Sequence, residues 1–329
     1  MNQEFNLSSV WITWERQTRN RSASAYLGIP LFEIIETSPY RILRYTKSIL
    51  RTVKVLVENR PEIIFAQNPS IVLALLMVLI KKTIGTKIII DAHNSGIHGP
   101  EENQALLKRM NTYVIKNANA TIVTNNILED YVNETGGRGI VLPDPLPHFQ
   151  IKDKLATELN PNRLNALCIT SWSADEPFTE LLRATEDFAD TVNFYFSGSY
   201  QKVKDLSSEK LPDNVKLLGF ISEEAYFHYL SNVDFCVDLT TRSDCMVCGA
   251  YESIAFEKPI LLSASEVQKS YFRDGALFCE NDSTSISHSM FEMVQNIDAM
   301  KARATEFKQL ILLRESDKKN ELLKIFKNL

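Results

Sequence analysis

The sequence predicts an α/β protein built from two tandem Rossmann-like halves, and three observations carry that expectation. Short apolar runs rich in β-branched residues alternate with longer helical stretches along the chain, the pattern of parallel strands covered by helices. The 329 residues amount to roughly two ordinary domains of about 150 residues each. Pro143, Pro145 and Pro147 cluster near the middle, the strongest linker signal in the chain. The boundary is therefore placed between an N-terminal domain, 1–146, and a C-terminal domain, 147–329.

In chain order, residues 10–14 (VWITW) read as the first strand, followed by a polar turn and a helix over 22–27. A helix over 45–59 leads to a strand at 62–66 (EIIFA), which ends at Gln67-Asn68-Pro69. Ser70 is set to cap the apolar helix 71–80; Lys81 and Lys82 suit the negative end of its dipole, and Gly85 stops it. The run 87–90 (KIII) is a continuous apolar strand leading straight into Asp91-Ala92-His93-Asn94. Helix 101–117, strand 120–124, a helix near 127–132 and strand 139–142 complete the first half. The pattern then restarts: strand 164–170, helix 178–188, strands 193–197 and 215–218, helix 223–230, strand 235–239, helix 250–256, strand 259–263, and a long helical region from about 285.

Composition narrows the function classes. With 36 Lys and Arg against 41 Asp and Glu, the net charge of −5 argues against a dedicated DNA-binding protein, whose affinity comes from neutralising phosphates. Five cysteines form no regular framework, which suits free thiols in a reducing compartment, and the single C-x-x-C, Cys245 and Cys248, lacks the second ligand pair of a structural zinc site. The polar start MNQEFNLSS is not a signal peptide, so a cytoplasmic protein is expected. The most apolar stretch, 71–80, is shorter than the roughly 18 residues that cross a bilayer and reads as a buried helix or, failing that, a membrane-facing one.

In open parallel sheets, ligands bind beyond the carboxyl ends of strands. Those places are unusually polar here: Glu15, Arg16, Arg19 and Arg21 after the first strand, Gln67-Asn68 after another, and 91–96 (DAHNSG) after a third. In the second half they are 171–176 (SWSADE), Ser197-Gly198-Ser199 and 240–244 (TTRSD). Neither half carries G-x-G-x-x-G or a P-loop, so NAD-dependent and ATP-hydrolysing chemistries are not expected. A polyhydroxylated, phosphate-bearing ligand fits this lining. Ser171 and Ser173 are placed to offer hydroxyls while the helix starting near Pro177 presents free N–H groups to a diphosphate; simple N-capping is the alternative.

These residues resemble a known family. Tandem Rossmann-like domains with this polar lining look like the GT-B glycosyltransferases, and the stretch 244–252, DCMVCGAYE, followed by Ala255 and Lys258-Pro259-Ile260, resembles the acidic-x7-acidic donor motif of family 4. Three further segments, QNPS at 67–70, IIIDAHNSG at 88–96 and TSWSADEPF at 170–178, resemble in the right order the family of chitobiosyldiphosphodolichol beta-mannosyltransferase and its bacterial relatives, as does Arg21-Ser22 in the first loop. The resemblance implies a GT-B fold with two domains facing across a cleft, the last helix returning to the N-terminal one. It implies an enzyme moving a hexose from a GDP- or UDP-linked nucleoside diphosphate sugar to a lipid-linked or oligosaccharide acceptor. Such an enzyme works without a metal or other cofactor, in polysaccharide biosynthesis, with peripheral contact at the cytoplasmic face of a membrane.

Roles follow from what glycosyl transfer requires: a held nucleotide, a stabilised leaving phosphate and, for inversion, a base for the acceptor hydroxyl. His93, Asp91 and Glu15 are the base candidates, with His93 favoured by its near-neutral intrinsic pKa of about 6.5. Glu252 is assigned to the ribose hydroxyls and Asp244 to the donor sugar, with Ser171, Ser173, Gly198 and Arg242 completing the donor side. Arg242 stands in for the Arg and Lys that many family 4 enzymes place after the first strand of the second domain. Arg19 and Arg21, able to grip a phosphate bidentately, and Asn94 form the acceptor side. Membrane docking is expected through helix 71–80 and the nearby Lys81, Lys82 and Lys87. A sugar-nucleotide 2-epimerase and a non-catalytic carbohydrate-binding protein are the alternatives on the same fold.

Overall fold

The computed structural model describes residues 8–68, 70–92, 97, 104–149, 159–203 and 211–329. The chain divides into two compact units, one of Met1–Pro145 with Arg314–Leu329 and one of Leu146–Leu313.

The first unit is a six-stranded, wholly parallel sheet in the order β2-β1-β3-β4-β5-β6: β1 (Ser9–Thr13), β2 (Leu31–Glu33), β3 (Ile63–Asn68), β4 (Lys87–Ala92), β5 (Ala120–Val123) and β6 (Gly139–Val141). Its described helices are α1 (Thr18–Leu27), α2 (Arg41–Asn59), α3 (Ile71–Ile84), α4 (Gln104–Asn117) and α5 (Asn126–Glu134). Because β3 and β4 are buried on both faces, they read as unbroken apolar runs, with alternation suppressed. One face of the sheet packs Ile12, Ile64, Ile88 and Ile90 against Leu73, Ala74 and Met77 of α3. The other packs Trp11, Phe65 and Ile89 with Ala23 and Leu27 of α1 and with Leu322, Leu323 and Phe326 from the end of the chain. Trp11 and Phe65 stack at 5.3 Å, and Phe326 meets Phe65 edge-on at 5.2 Å.

Helix α3 ends at Gly85 in the left-handed conformation, whose N–H bonds back to the carbonyl of Lys81. Ser70 holds the N-cap position, but its side chain makes no capping bond. The 71–80 stretch is a core helix, with Leu73, Ala74 and Met77 fully buried. Lys81 Nζ donates to the Asn117 carbonyl (2.8 Å) and Lys87 Nζ to the Lys327 carbonyl (2.9 Å).

The second unit repeats the architecture in the order β12-β11-β10-β7-β8-β9, again all parallel: β7 (Leu164–Cys168), β8 (Val192–Ser197), β9 (Val215–Gly219), β10 (Phe235–Asp238), β11 (Ile260–Ser263) and β12 (Leu277–Cys279). Its helices are α6 (Phe178–Thr185, continued by a short 3-10 turn), α7 (Glu223–Asn232), α8 (Cys248–Ala255), α9 (Glu266–Phe272), α10 (Ser283–Gln295) and the first part of α11 (Ile297–Lys327). Two apolar layers flank this sheet, one around Leu181, Phe188, Phe194 and Met290 and the other around Tyr251, Ile254, Phe272 and Phe307.

The doubly wound class expected from the sequence is what forms. Strands β2 and β12 and helix α9 were not foreseen, since LFE and LFC are three-residue runs and α9 is a seven-residue helix. The helix expected at 45–59 starts four residues earlier, at Arg41, where the first turn is exposed and turns its apolar side chains, Ile42 and Leu43, away from the core.

Candidate functional site

Strand order fixes where each sheet opens. In the first unit the chain winds from β1 to β2 on one side and to β3 on the other, so the switch point lies between β1 and β3. In the second it lies between β7 and β10. The polar strand ends singled out in the sequence converge on these two places, each within its own unit.

At the first switch point the register sets Ile12 beside Ala66 and Gln67 beside Asp91. Thr13 Oγ1 donates a hydrogen bond to Gln67 Oε1, and Asn20 Nδ2 donates to Thr13 Oγ1 at 3.3 Å. Above this layer opens a cavity of about 330 Å³ lined by Trp14, Glu15, Glu36, Tyr45 and Ser70, with Arg44 at its edge. Trp14 is fixed by its indole N–H, which donates to Thr52 Oγ1 at 3.0 Å, and leans on Tyr45 at 6.2 Å. Glu36 is held by Arg51 at 2.8 Å. Two rings and two carboxylates around an open pocket can stack on an apolar sugar face and accept hydrogen bonds from hydroxyls. Glu15, exposed and backed by Gln17 (3.3 Å), is the foreseen base candidate that lines this space.

The other first-unit candidates take different places. Arg19 is buried and spends its guanidinium inside the protein: Nε and Nη2 donate to the Asp91 carboxylate at 2.7–3.1 Å, Nη1 to Asp144, and Nη2 to the Leu142 carbonyl at 3.1 Å. Burial by itself would lower the Arg19 pKa; Asp91 and Asp144 outweigh that and raise it, so the charge is permanent. This corrects two expectations. Arg19 cannot reach an acceptor phosphate, and Asp91, wholly buried and saturated by Arg19, cannot serve as a general base. Arg21 is half-exposed and bidentate to Glu33 (2.8 and 3.3 Å), so the phosphate grip expected of it is taken by a neighbouring carboxylate. His93 and Asn94 lie outside the described residues.

At the second switch point, the loop after β7 is shaped by carboxylate capping. Glu176 accepts from the Ser171 and Trp172 amides (3.0 and 2.8 Å) and from the Ser171 hydroxyl (2.6 Å), and Ser171 and Ser173 share a hydrogen bond of 2.7 Å. Neither serine caps α6, which begins after Pro177 with no side-chain cap. Trp172, at φ 61°, turns its indole to the Ser197 carbonyl (2.8 Å). Gly198 is there because a Cβ would sit 2.1 Å from the Thr170 carbonyl oxygen, at a φ of +85° that side chains rarely adopt.

Opposite lies the segment 240–244. The Thr241 amide donates to the Asp175 carbonyl at 2.7 Å, and Arg242 Nε pairs with Asp175 at 3.1 Å. Asp244 is half-buried. Helix α8 then starts after Val247, whose side chain makes no cap, with no acidic residue in its first turn; the Gly249 amide donates to Asp238 and the Ala250 amide to the Val247 carbonyl (3.3 Å). One turn in, Glu252 is buried and accepts the Tyr226 hydroxyl proton at 2.7 Å. Burial raises the Tyr226 pKa well above normal, and the Glu252 charge raises it further, so the phenol stays a donor. Asp238, at the end of β10, is also buried; burial, with Glu176 and Glu252 nearby, pushes its carboxyl well above the usual carboxylate range, offset partly by the Gly249 amide. Gly249 can be nothing larger, since a Cβ would meet Asp238 Oδ2 at 2.3 Å.

Sequence reasoning missed Tyr226, Glu176, Asp238 and Asp144. Each acts through a partner distant in the chain or in a turn, and only the D-P-L-P run around Asp144 left a local signal. In the C-x-x-C pair both thiols are free; burial pushes the Cys245 thiol up to about 12, and Cys248 is exposed. No described helix is long and apolar enough to cross a membrane.

No family model matches the chain, and neither does any curated protein. Solved structures do match. The chain is similar to Anabaena Alr3699/HepE in complex with UDP-glucose, at TM-score 0.72 and 12% identity over 98% of this chain and 100% of that one. It is similar to the sucrose-phosphate synthase (tll1590) of Thermosynechococcus elongatus at TM-score 0.69 and 11% identity, over 91% and 82% of the two chains. It also resembles the UDP-GlcNAc 2-epimerase of Methanocaldococcus jannaschii at TM-score 0.52 and 10% identity, over 88% and 92%. At such identities the likeness defines the fold: two six-stranded Rossmann-like domains of the GT-B class.

Proposed function

We propose that the chain is a glycosyltransferase that moves a hexose from a nucleoside diphosphate sugar to a carbohydrate acceptor, without a metal. The observation that carries this reading is the pairing, at the second switch point, of the positive end of helix α8, whose first turn holds no acidic residue, with a buried carboxylate one turn inside the same helix. A nucleoside diphosphate needs both: N–H groups and a positive dipole end for the diphosphate, and a carboxylate to accept two ribose hydroxyls. Glu252, oriented by Tyr226, takes the ribose; the α8 N-terminus and Arg242 take the diphosphate and the charge that grows on the leaving phosphate. Asp244 faces the donor sugar, and Ser171, Ser173 and the Gly198 turn complete the donor side.

A uridine donor is supported by the UDP-glucose bound to HepE, and the mannosyltransferase-like segments leave GDP-mannose as the other choice. The acceptor sugar, lipid-linked in this reading, takes the Trp14 and Tyr45 pocket. Glu15, with His93, is the base for its hydroxyl, while Arg19 and Asp91 position the strand ends. The likeness to a UDP-GlcNAc 2-epimerase supports a second reading, in which donor alone is converted.

A thermal-shift panel of UDP, GDP, ADP, CMP and NAD tests the donor. A ligand at one hundred times its dissociation constant stabilises the native state by about 2.7 kcal/mol. UDP or GDP is expected to raise the melting temperature selectively, and Glu252→Ala to abolish that rise. A folded protein indifferent to every nucleotide sinks the reading, and epimerised sugar on incubation with donor alone turns it to the second.

A further inference from the structure

Helix α2 packs Val55 and Leu56 on the core and yet turns a second apolar face to solvent. Its only fully buried side chains are Ser48 and Thr52, while Ile42 (84% exposed), Leu50 (64%) and Val57 (65%) stand in solvent, joined by Leu43 and Val53. At about 100° per residue those five positions fall within roughly one third of the circumference, so they form one continuous apolar stripe. Tyr40, 74% exposed, precedes the first turn. A stripe of this extent on a free surface marks a contact with something apolar.

Charge identifies what it meets. The chain carries a net −5, yet α2 has five cations, Arg41, Arg44, Lys47, Arg51 and Lys54, against the single acid Glu58. Lys47 and Lys54 fall beside the apolar stripe on the same helical sweep. Arg51 is paired with Glu36 and Lys54 loosely with Glu58 at 3.7 Å, both remaining well exposed. At the carboxyl end of the helix the stripe runs into an apolar groove of about 590 Å³ between Val53, Val57, Pro61 and Ile80, with Arg60 at its wall. Basic residues flanking an exposed apolar face on a helix that lies flat suit an anionic lipid surface, and a groove of this size admits part of an acyl chain.

We propose that α2 is a docking surface for anionic phospholipid membranes. Arg44, Tyr45 and Ser48 on the amino-terminal half of α2 also line the Trp14 pocket, so docking through α2 sets that pocket at the lipid surface. The inference stands without the transferase reading.

The test uses the full chain and vesicles of phosphatidylcholine alone or mixed with phosphatidylglycerol. Sedimentation with the mixed vesicles only, weakening as salt is raised, is expected. Lys47→Gln with Lys54→Gln should lower the partition coefficient about thirtyfold at low salt, and Ile42→Ser with Leu50→Ser should abolish it. Both variants change exposed residues and should keep the wild-type circular dichroism, melting temperature and nucleotide response. Absence of binding to either vesicle, or variants that bind as wild type does, overturns the proposal. So does a dimer in light scattering that Ile42→Ser with Leu50→Ser dissociates, since the face would then belong to a second copy.

Discussion

The two units share six parallel strands and a polar switch point, yet they treat buried carboxylates in opposite ways. In the first, Asp91 and Asp144 are closed off by one guanidinium that satisfies both. In the second, the buried Asp238 meets the Gly249 amide and the buried Glu252 meets the Tyr226 phenol, and Asp238 is pushed toward its neutral form. The first arrangement spends its charges on holding strand ends together. The second places its carboxyls beside the start of helix α8 and holds them with neutral donors instead. A carboxylate gripped by a guanidinium through several hydrogen bonds is architecture, whereas one met by a neutral phenol keeps its charge without a permanent cation bound to it in that contact.

The comparison breaks most visibly at Arg19. Arg19→Met should strand two buried carboxylates and cost about 3–5 kcal/mol, read as a lower urea midpoint, with much of the sample unfolded if the unit is only marginally stable. A loss below about 1 kcal/mol would mean that water reaches Asp91 and that the network is not closed. In the second unit the corresponding structural dependence is steric. Gly198→Ala drives a methyl group into the Thr170 carbonyl at an unfavourable φ and should cost about 1–3 kcal/mol in thermal unfolding, together with a weaker nucleotide response because the 171–176 loop must shift.

The smallest effect sharpens the contrast through pH. A carboxyl whose folded pKa lies above its unfolded value contributes stability fully below the unfolded pKa, near 3.9, and loses it as pH rises through the folded pKa. Asp238 therefore makes the second unit less stable as pH climbs. Asp238→Asn, which removes the titration and keeps an oxygen for the Gly249 amide, should flatten the fall in melting temperature that sets in above about pH 4. An unchanged profile would show that Asp238 stays charged with compensation from elsewhere.

Periodicity and punctuation determined much of the architecture. The alternation of apolar runs and helical stretches specified a doubly wound parallel fold, the KIII run specified a strand buried on both faces, and Gly85 specified a helix end, because each depends on residues a few positions apart. The sequence also marked the polar strand ends where both switch points open, including Glu15, the 171–176 loop and Glu252. What it could not assign was partnership. Arg19 and Asp91 are 72 positions apart, and only the β3–β4 register beside β1 makes them an ion pair and removes them from chemistry. Tyr226 found Glu252 only through the packing of α7 near α8. On α2, read from the sequence only as a helix, the tertiary structure sets Ser48, Thr52, Val55 and Leu56 inward and leaves Ile42, Leu50 and Val57 in solvent. Likewise, Leu322, Leu323 and Phe326 lie at the end of the chain yet fill the core around Trp11 and Phe65. Local pattern encodes which face of an element is apolar, but the energy of a contact is set by what the fold brings opposite it, and that is decided by pairing across the whole chain.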